Sequence, residues 1–244
     1  MKGVSAAAPR PGYDAEVRFL NSAGELDRLA VTRTYAEEVA VALSALDCVL
    51  DGRNAIYAST ELTSGRRLFG LLLAHGAADE ADLRARMGDQ GFRQLVWEPN
   101  LSAARRFARD IRWRLATKSA QGAATGATAL DASPLLVVEP GPFSSPGWDQ
   151  PRYLAFWETL IRTRFVAVYF NQDWQYSRGC TFELAVATDA GISTFDALGA
   201  PLGLQRGIEL VQAASQVMQA AGRLDPGHLE GLDRLQHLRK AAAG

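Results

Sequence analysis

Phe165-Val-Ala-Val-Tyr-Phe170 is the stretch on which the fold turns. It is followed by the polar turn Asn171-Gln-Asp-Trp-Gln-Tyr-Ser-Arg-Gly179 and by Cys180-Thr-Phe-Glu-Leu-Ala-Val-Ala-Thr-Asp-Ala190. Six apolar residues closed off by polar ones read as a strand buried on both faces, and the residues after Gly179 carry a helical pattern. The same order occurs upstream. Asn54-Ala-Ile-Tyr-Ala-Ser59 is short and apolar, Thr63-Ser-Gly65 is a turn, and Arg66-Arg-Leu-Phe-Gly-Leu-Leu-Leu-Ala-His75 is helical in pattern. Leu135-Leu-Val-Val138 is a third apolar run, ending at Pro140-Gly-Pro. Strands alternating with helices predict an α/β fold, a doubly wound parallel sheet with helices on both faces.

Outward from these strands the chain is mostly helical. Thr34-Tyr-Ala-Glu37 has the form of a capping box and opens a helix to about Leu50, which Asp51-Gly52 stops. Helices are expected near residues 79–88, 102–117 and 151–162, and two more after Pro201, broken at Asp225-Pro-Gly227. Residues 1–12 and 119–133, rich in small residues, are expected to be a disordered start and a mobile loop. The division expected is an N-terminal extension with a helix (1–53), an α/β domain (54–200) and a C-terminal helical extension (201–244). About 75 residues separate the first two strands, far more than an ordinary crossover needs.

A formal charge of −1 argues against a dedicated nucleic-acid surface, which needs an excess of Lys and Arg. Arg105, Arg106, Arg109, Arg112 and Arg114 form a local basic run, but helical spacing spreads them into a solvated face. Two cysteines, Cys48 and Cys180, exclude a disulfide framework and point to a reducing compartment. His75, His228 and His237 show no metal-ligand spacing, so neither metal nor cofactor is expected. No run approaches the roughly 20 apolar residues that cross a bilayer, and residues 1–11 lack a signal-peptide core. The expectation is a cytoplasmic protein without a membrane or nucleic-acid partner.

In open α/β sheets ligands bind beyond the carboxyl ends of the strands. Those ends here carry Tyr57 with residues 61–67, then residues 140–148, then residues 171–183. Glu183 falls about one turn into its helix, where the dipole favours a charged carboxylate suited to a nucleophile or a cation stabiliser. A glutamate that merely satisfies the helix dipole is the common alternative.

Ile56-Tyr-Ala-Ser-Thr-Glu-Leu-Thr-Ser-Gly-Arg66 and Ser177-Arg-Gly-Cys-Thr-Phe-Glu183 together resemble the nucleoside 2-deoxyribosyltransferase superfamily. The nearest branch is that of the 2′-deoxynucleoside 5′-monophosphate N-glycosidases. Ser177, Gly179 and Glu183 match its Ser-x-Gly-x-x-x-Glu element, and Glu158 falls where the family carries a second carboxylate. The resemblance covers about residues 54–200 and implies a Rossmann-like or flavodoxin-like domain.

It also implies cleavage of an N-glycosidic bond in a nucleoside or nucleoside 5′-monophosphate, by hydrolysis first and base exchange second. A nucleotide-binding module without turnover is the rival from another class. In the implied site Glu183 stabilises an oxocarbenium-like transition state, and Glu158 orients it or handles the proton. Ser177, Gly179, Ser64, Gly65 and Arg66 hold a 5′-phosphate, and Tyr57, Trp148 and Trp174 stack on base or sugar. Trp148 and Trp174 serve equally well as caps on the sheet. Asp173, kept among the substrate-binding candidates, suits an Asx-type bend better than an acid role. Cys180 has no histidine in a supporting pattern and is not expected to be a nucleophile.

Two departures from the family stand out. Its Gly-Ser pair is Thr60-Glu61 here, and Glu61 would repel a phosphate unless Arg66 or Arg67 neutralised it. Its usual Asp is Glu158. The resemblance and the apolar C-terminal helices also suggest a homodimer.

Overall fold

The computed structural model describes residues 13–20, 26–33, 35–124, 136–141 and 148–242. It opens with an antiparallel hairpin of β1 (Tyr13–Leu20) and β2 (Leu26–Arg33), in register from Tyr13 opposite Arg33 to Leu20 opposite Leu26. Helix α1 (Tyr35–Leu50) follows, as the pattern predicts. The expected disordered start (1–12) and the capping Thr34 lie outside the described residues.

The four strands of the main sheet are β3 (Ala55–Ser59), β4 (Leu136–Val138), β5 (Phe165–Phe170) and β6 (Ser193–Phe195). All pair in parallel, in the order β4-β3-β5-β6. Tyr57 lies opposite Val168, and Ser59 opposite Phe170.

Period-2 alternation sorts the side chains of β3 between two cores. Ile56 and Ala58 join Val137, Ala167 and Tyr169 against Phe107, Ala108 and Ile111 of α4 (Glu98–Ala124). Ala55 and Tyr57 join Val138, Val168 and Phe170 in the larger core. That core takes Phe156, Trp157, Leu160 and Ile161 from α5 (Gln150–Arg164), and Leu184 to Ala187 from α6 (Arg178–Asp189).

The long connection from β3 to β4 is filled by α2 (Gly65–His75), α3 (Glu80–Phe92) and α4. A π-helical turn at Arg93–Trp97 joins α3 to α4 directly before Pro99. A proline ring clashes with the carbonyl four residues back in a regular helix, and the wider turn lies where that clash would fall. Helix α4 continues through 119–124, the first part of the expected mobile loop; residues 125–133 lie outside the described residues.

After β6, α7 (Leu204–Ala220) and α8 (Pro226–Ala242) are divided where Asp225-Pro-Gly227 predicts. Helix α8 lies close against α6: a Cβ on Gly231 would fall 2.8 Å from Thr181 Cγ2, so only glycine fits. Among the described residues no helix is long and apolar enough to cross a membrane.

Candidate functional site

Tyr57 and Ser59 stand two residues apart on β3 and so share the face that meets α6. The Tyr57 hydroxyl donates to Glu183 Oε1 at 2.9 Å, and Ser59 Oγ donates to Glu183 Oε2 at 2.6 Å. Glu183 is 5 % exposed. The ring of Tyr57 is fixed between Trp157, stacked at 4.7 Å, and Phe165, stacked at 5.3 Å. The carboxylate is therefore held from both oxygens, on one side by a ring that stacking fixes in place. Each oxygen keeps acceptor capacity for a ligand.

The helix dipole does not set the charge of Glu183 as the sequence suggested. Ser177 is the N-cap of α6, and Glu183 lies beyond the first turn, where the dipole has faded. Burial raises its pKa to about 7, against the opposing pull of the hydrogen bonds from Ser59 and Tyr57. Burial, reinforced by the charge of Glu183, lifts Tyr57 well above its ordinary range, so it is a neutral donor. Burial likewise keeps Cys180 a thiol.

Glu183 lines a cavity of about 170 Å³, open on one side. An enclosed cavity of about 150 Å³ takes benzene, so this one encloses a single ring and leaves the rest of a larger ligand toward the opening. Tyr153, Trp157, Trp97 and Leu154 supply apolar wall, and Thr60, Glu61, Ser64, Ser177, Gly179 and Cys180 supply the rest of the polar rim. Ser64 and Ser177 share a hydrogen bond of 2.9 Å between their hydroxyls, tying the start of α2 to the start of α6. Ser177 Oγ also accepts from the Cys180 amide at 3.3 Å.

Of the residues singled out in the sequence, Tyr57, Ser64, Ser177, Gly179 and Glu183 come together here. The others do not line this cavity. Glu158, expected as a second catalytic carboxylate, sits on the outer side of α5. Its Oε1 accepts from Arg162 Nε at 3.0 Å and from Arg234 Nη2 at 3.2 Å. An ion pair to α8, 76 residues downstream, fixes it there. The structure does not bring Glu158 to the cavity beside Glu183. Glu158→Ala is accordingly expected to change turnover by less than about twofold and to lower Tm slightly, since half-exposed ion pairs contribute little. A steady-state assay beside a melting curve checks it.

Arg66 turns away as well, 3.6 Å from Asp173 and over the Tyr176 ring at 5.2 Å. Asp173, at φ +63°, precedes a 3₁₀ turn at Trp174–Tyr176 and lines the same outer groove as Arg66. Gly65 starts α2 at φ +85° and faces a neighbouring cavity. Trp174 is buried against Phe170, and Trp148 packs edge-on against Tyr153 and Phe156. Both tryptophans cap the core rather than line the cavity.

Among the site residues that are not sequence candidates, Ser59 and Glu61 bear most on the chemistry. Ser59 was findable, being two residues beyond Tyr57 on one strand face. Glu61 stood out only as a liability for phosphate binding. Its carboxyl is mostly buried, which raises its pKa to about 7; its own backbone amide opposes this, Asp173 adds to it, and Arg67 opposes it. Among the described residues no three His, Cys, Asp or Glu converge as a metal-ligand set. Comparison of the chain with protein-family models, curated proteins and solved structures finds no match.

Proposed function

We propose that this chain hydrolyses the N-glycosidic bond of a nucleoside or nucleotide, with Glu183 as the carboxylate beside the anomeric carbon. The observation that supports this is the placement of Glu183. It is a buried carboxylate, gripped by Tyr57 and Ser59 from the carboxyl end of β3, and it faces a ring-sized cavity. The chain runs from β3 to β4 on one side and then crosses to β5 on the other side of β3, so the strand order reverses here, the position where open sheets bind ligands. With α4 against one face and α5 and α6 against the other, we read the domain as doubly wound and Rossmann-like.

As the glycosidic bond lengthens, positive charge builds on the sugar, and an anion fixed nearby in a low-dielectric site stabilises it. Glu183 acts only when ionised, so the rate rises with pH through about 7. Tyr57→Phe removes one of the two hydrogen bonds that favour the ionised form. The acid limb of the pH–rate profile then moves to higher pH. The plateau falls by roughly 10- to 100-fold, the worth of a hydrogen bond to a charged group. Base release followed from pH 5 to 9 for both proteins tests this reading. An unshifted limb, or no release at any pH from folded wild type, counts against it.

A binding module without turnover is the second reading. The position of Glu158 favours it, because the family's second carboxylate is spent here in an ion pair.

A further inference from the structure

Charge around the cavity bears on what the site accepts. Among the described residues that line it, none is Arg, Lys or His, and two are glutamates, Glu61 and Glu183. The arginines that neighbour lining residues in sequence have other partners, and Arg152, beside Tyr153, places its Nε 3.9 Å from Asp149 Oδ1. Arg66 meets Asp173, Arg67 Nε donates to Asn100 at 3.2 Å, and Arg178 meets Asp225 at 3.2 Å.

Two polar atoms of lining residues are buried without a hydrogen-bond partner, Thr60 Oγ1 and Glu61 Oε2; Glu61 also borders the outer groove that holds Arg66, Arg67 and Asp173. Buried polar groups are nearly always paired, so orphans on two consecutive residues that line one cavity point to a place for a ligand's polar group. The placement of Glu61 is built into the backbone. A Cβ on Gly65 would fall 2.5 Å from Glu61 Cγ, and Gly65 sits at φ +85°. Glycine at the start of α2 is what lets the Glu61 side chain pass beneath it.

We propose that Glu61, with Thr60, makes this cavity select a nucleoside with a free sugar hydroxyl and reject the corresponding 5′-monophosphate. The inference rests on the reading of the cavity as a nucleoside site. A hydroxyl donates to Glu61 Oε2 and accepts from Thr60 Oγ1, so both orphans are satisfied by one group. A phosphate brings only acceptors and a charge of about −1.5 to −2. Beside two carboxylates and without a lining cation, it is repelled and leaves Glu61 unpaired. Ser64, Ser177 and the Gly179 amide remain as neutral donors to the sugar.

The test compares matched pairs: 2′-deoxyadenosine with its 5′-monophosphate, adenosine with its own, and thymidine with its own. Wild type, Glu61→Gln and Glu61→Ser are titrated calorimetrically at pH 8, and base release is followed for the same pairs. Wild type is expected to favour each nucleoside by at least about tenfold, and both variants to shrink that ratio by about tenfold. A wild-type preference for the monophosphates overturns the inference, as does a ratio unmoved in two folded variants. Failure of every pair to bind overturns it too. Preferential nucleoside binding without base release leaves it standing and sinks the hydrolase reading; base release favouring the monophosphates does the reverse.

Discussion

Glu183→Gln is expected to lower base release by roughly 10³-fold or more while leaving the chain folded. The substitution keeps the shape of the side chain and its carbonyl acceptor, so the contacts made by Tyr57 and Ser59 survive in part. What disappears is the negative charge, in a site that excludes most water and therefore screens it poorly. Ground-state binding of a neutral nucleoside depends mainly on the ring-sized cavity and its apolar wall. The loss should therefore appear in kcat, with KM changed by only a few-fold. A comparable rise in KM at constant kcat would assign Glu183 to uniform binding instead of charge stabilisation.

The second large effect concerns stability. Glu183 and Glu61 both titrate near 7 in the folded protein against an ordinary value of 4.5, with burial the first cause for each. Between those values the folded chain holds protons that the unfolded chain has lost, so stability falls as pH rises from about 4.5 to about 7. At 1.36 kcal/mol per unit the interval is worth about 3 kcal/mol for each group. His228 works the other way, since burial lowers its pKa below 6.5 and stability is lost as pH falls through that region.

A comparison of variants separates these effects. Glu183→Gln and Glu61→Gln should each raise Tm at pH 8 by several degrees and change it little at pH 5. Equal shifts at both pH values would show that neither carboxyl is as buried as its surroundings indicate. A gain in stability on removing Glu183 would also fit a site that carries unfavourable charge for its function.

The sheet was legible where strands are long and buried. Phe165–Phe170 and Ala55–Ser59 are unbroken apolar runs flanked by turn residues, and both are strands. Ser193–Phe195 is three residues at the edge of the sheet, too short for any periodic signal, and it exists through its pairing with β5. The sequence of β1 does alternate, with Tyr13, Ala15, Val17 and Phe19 at every second position, a period-2 signal for a strand.

The site divides the same way. Glu183, Ser177 and Gly179 lie within one turn and helix start, so their spacing alone places them together. For Glu158, helical periodicity decides against the family spacing. Phe156, Trp157, Leu160 and Ile161 are the buried face of α5, which leaves Glu158 beside Arg162 on the other side. Its partner Arg234 lies on a helix that no local pattern connects to α5. In the sequence Glu61 stands only as a charge where the resemblance implies a phosphate. Its burial and missing partner appear only once α2 is laid over it at Gly65.

The most direct measurement is chromatographic quantification of free base and free sugar after incubating nucleosides and nucleotides with the purified wild type at pH 8. Equimolar base and sugar are expected from at least one nucleoside, and none above background from Glu183→Gln. Intact substrate after prolonged incubation with a folded protein that binds it would contradict the assignment of Glu183 and leave a binding module.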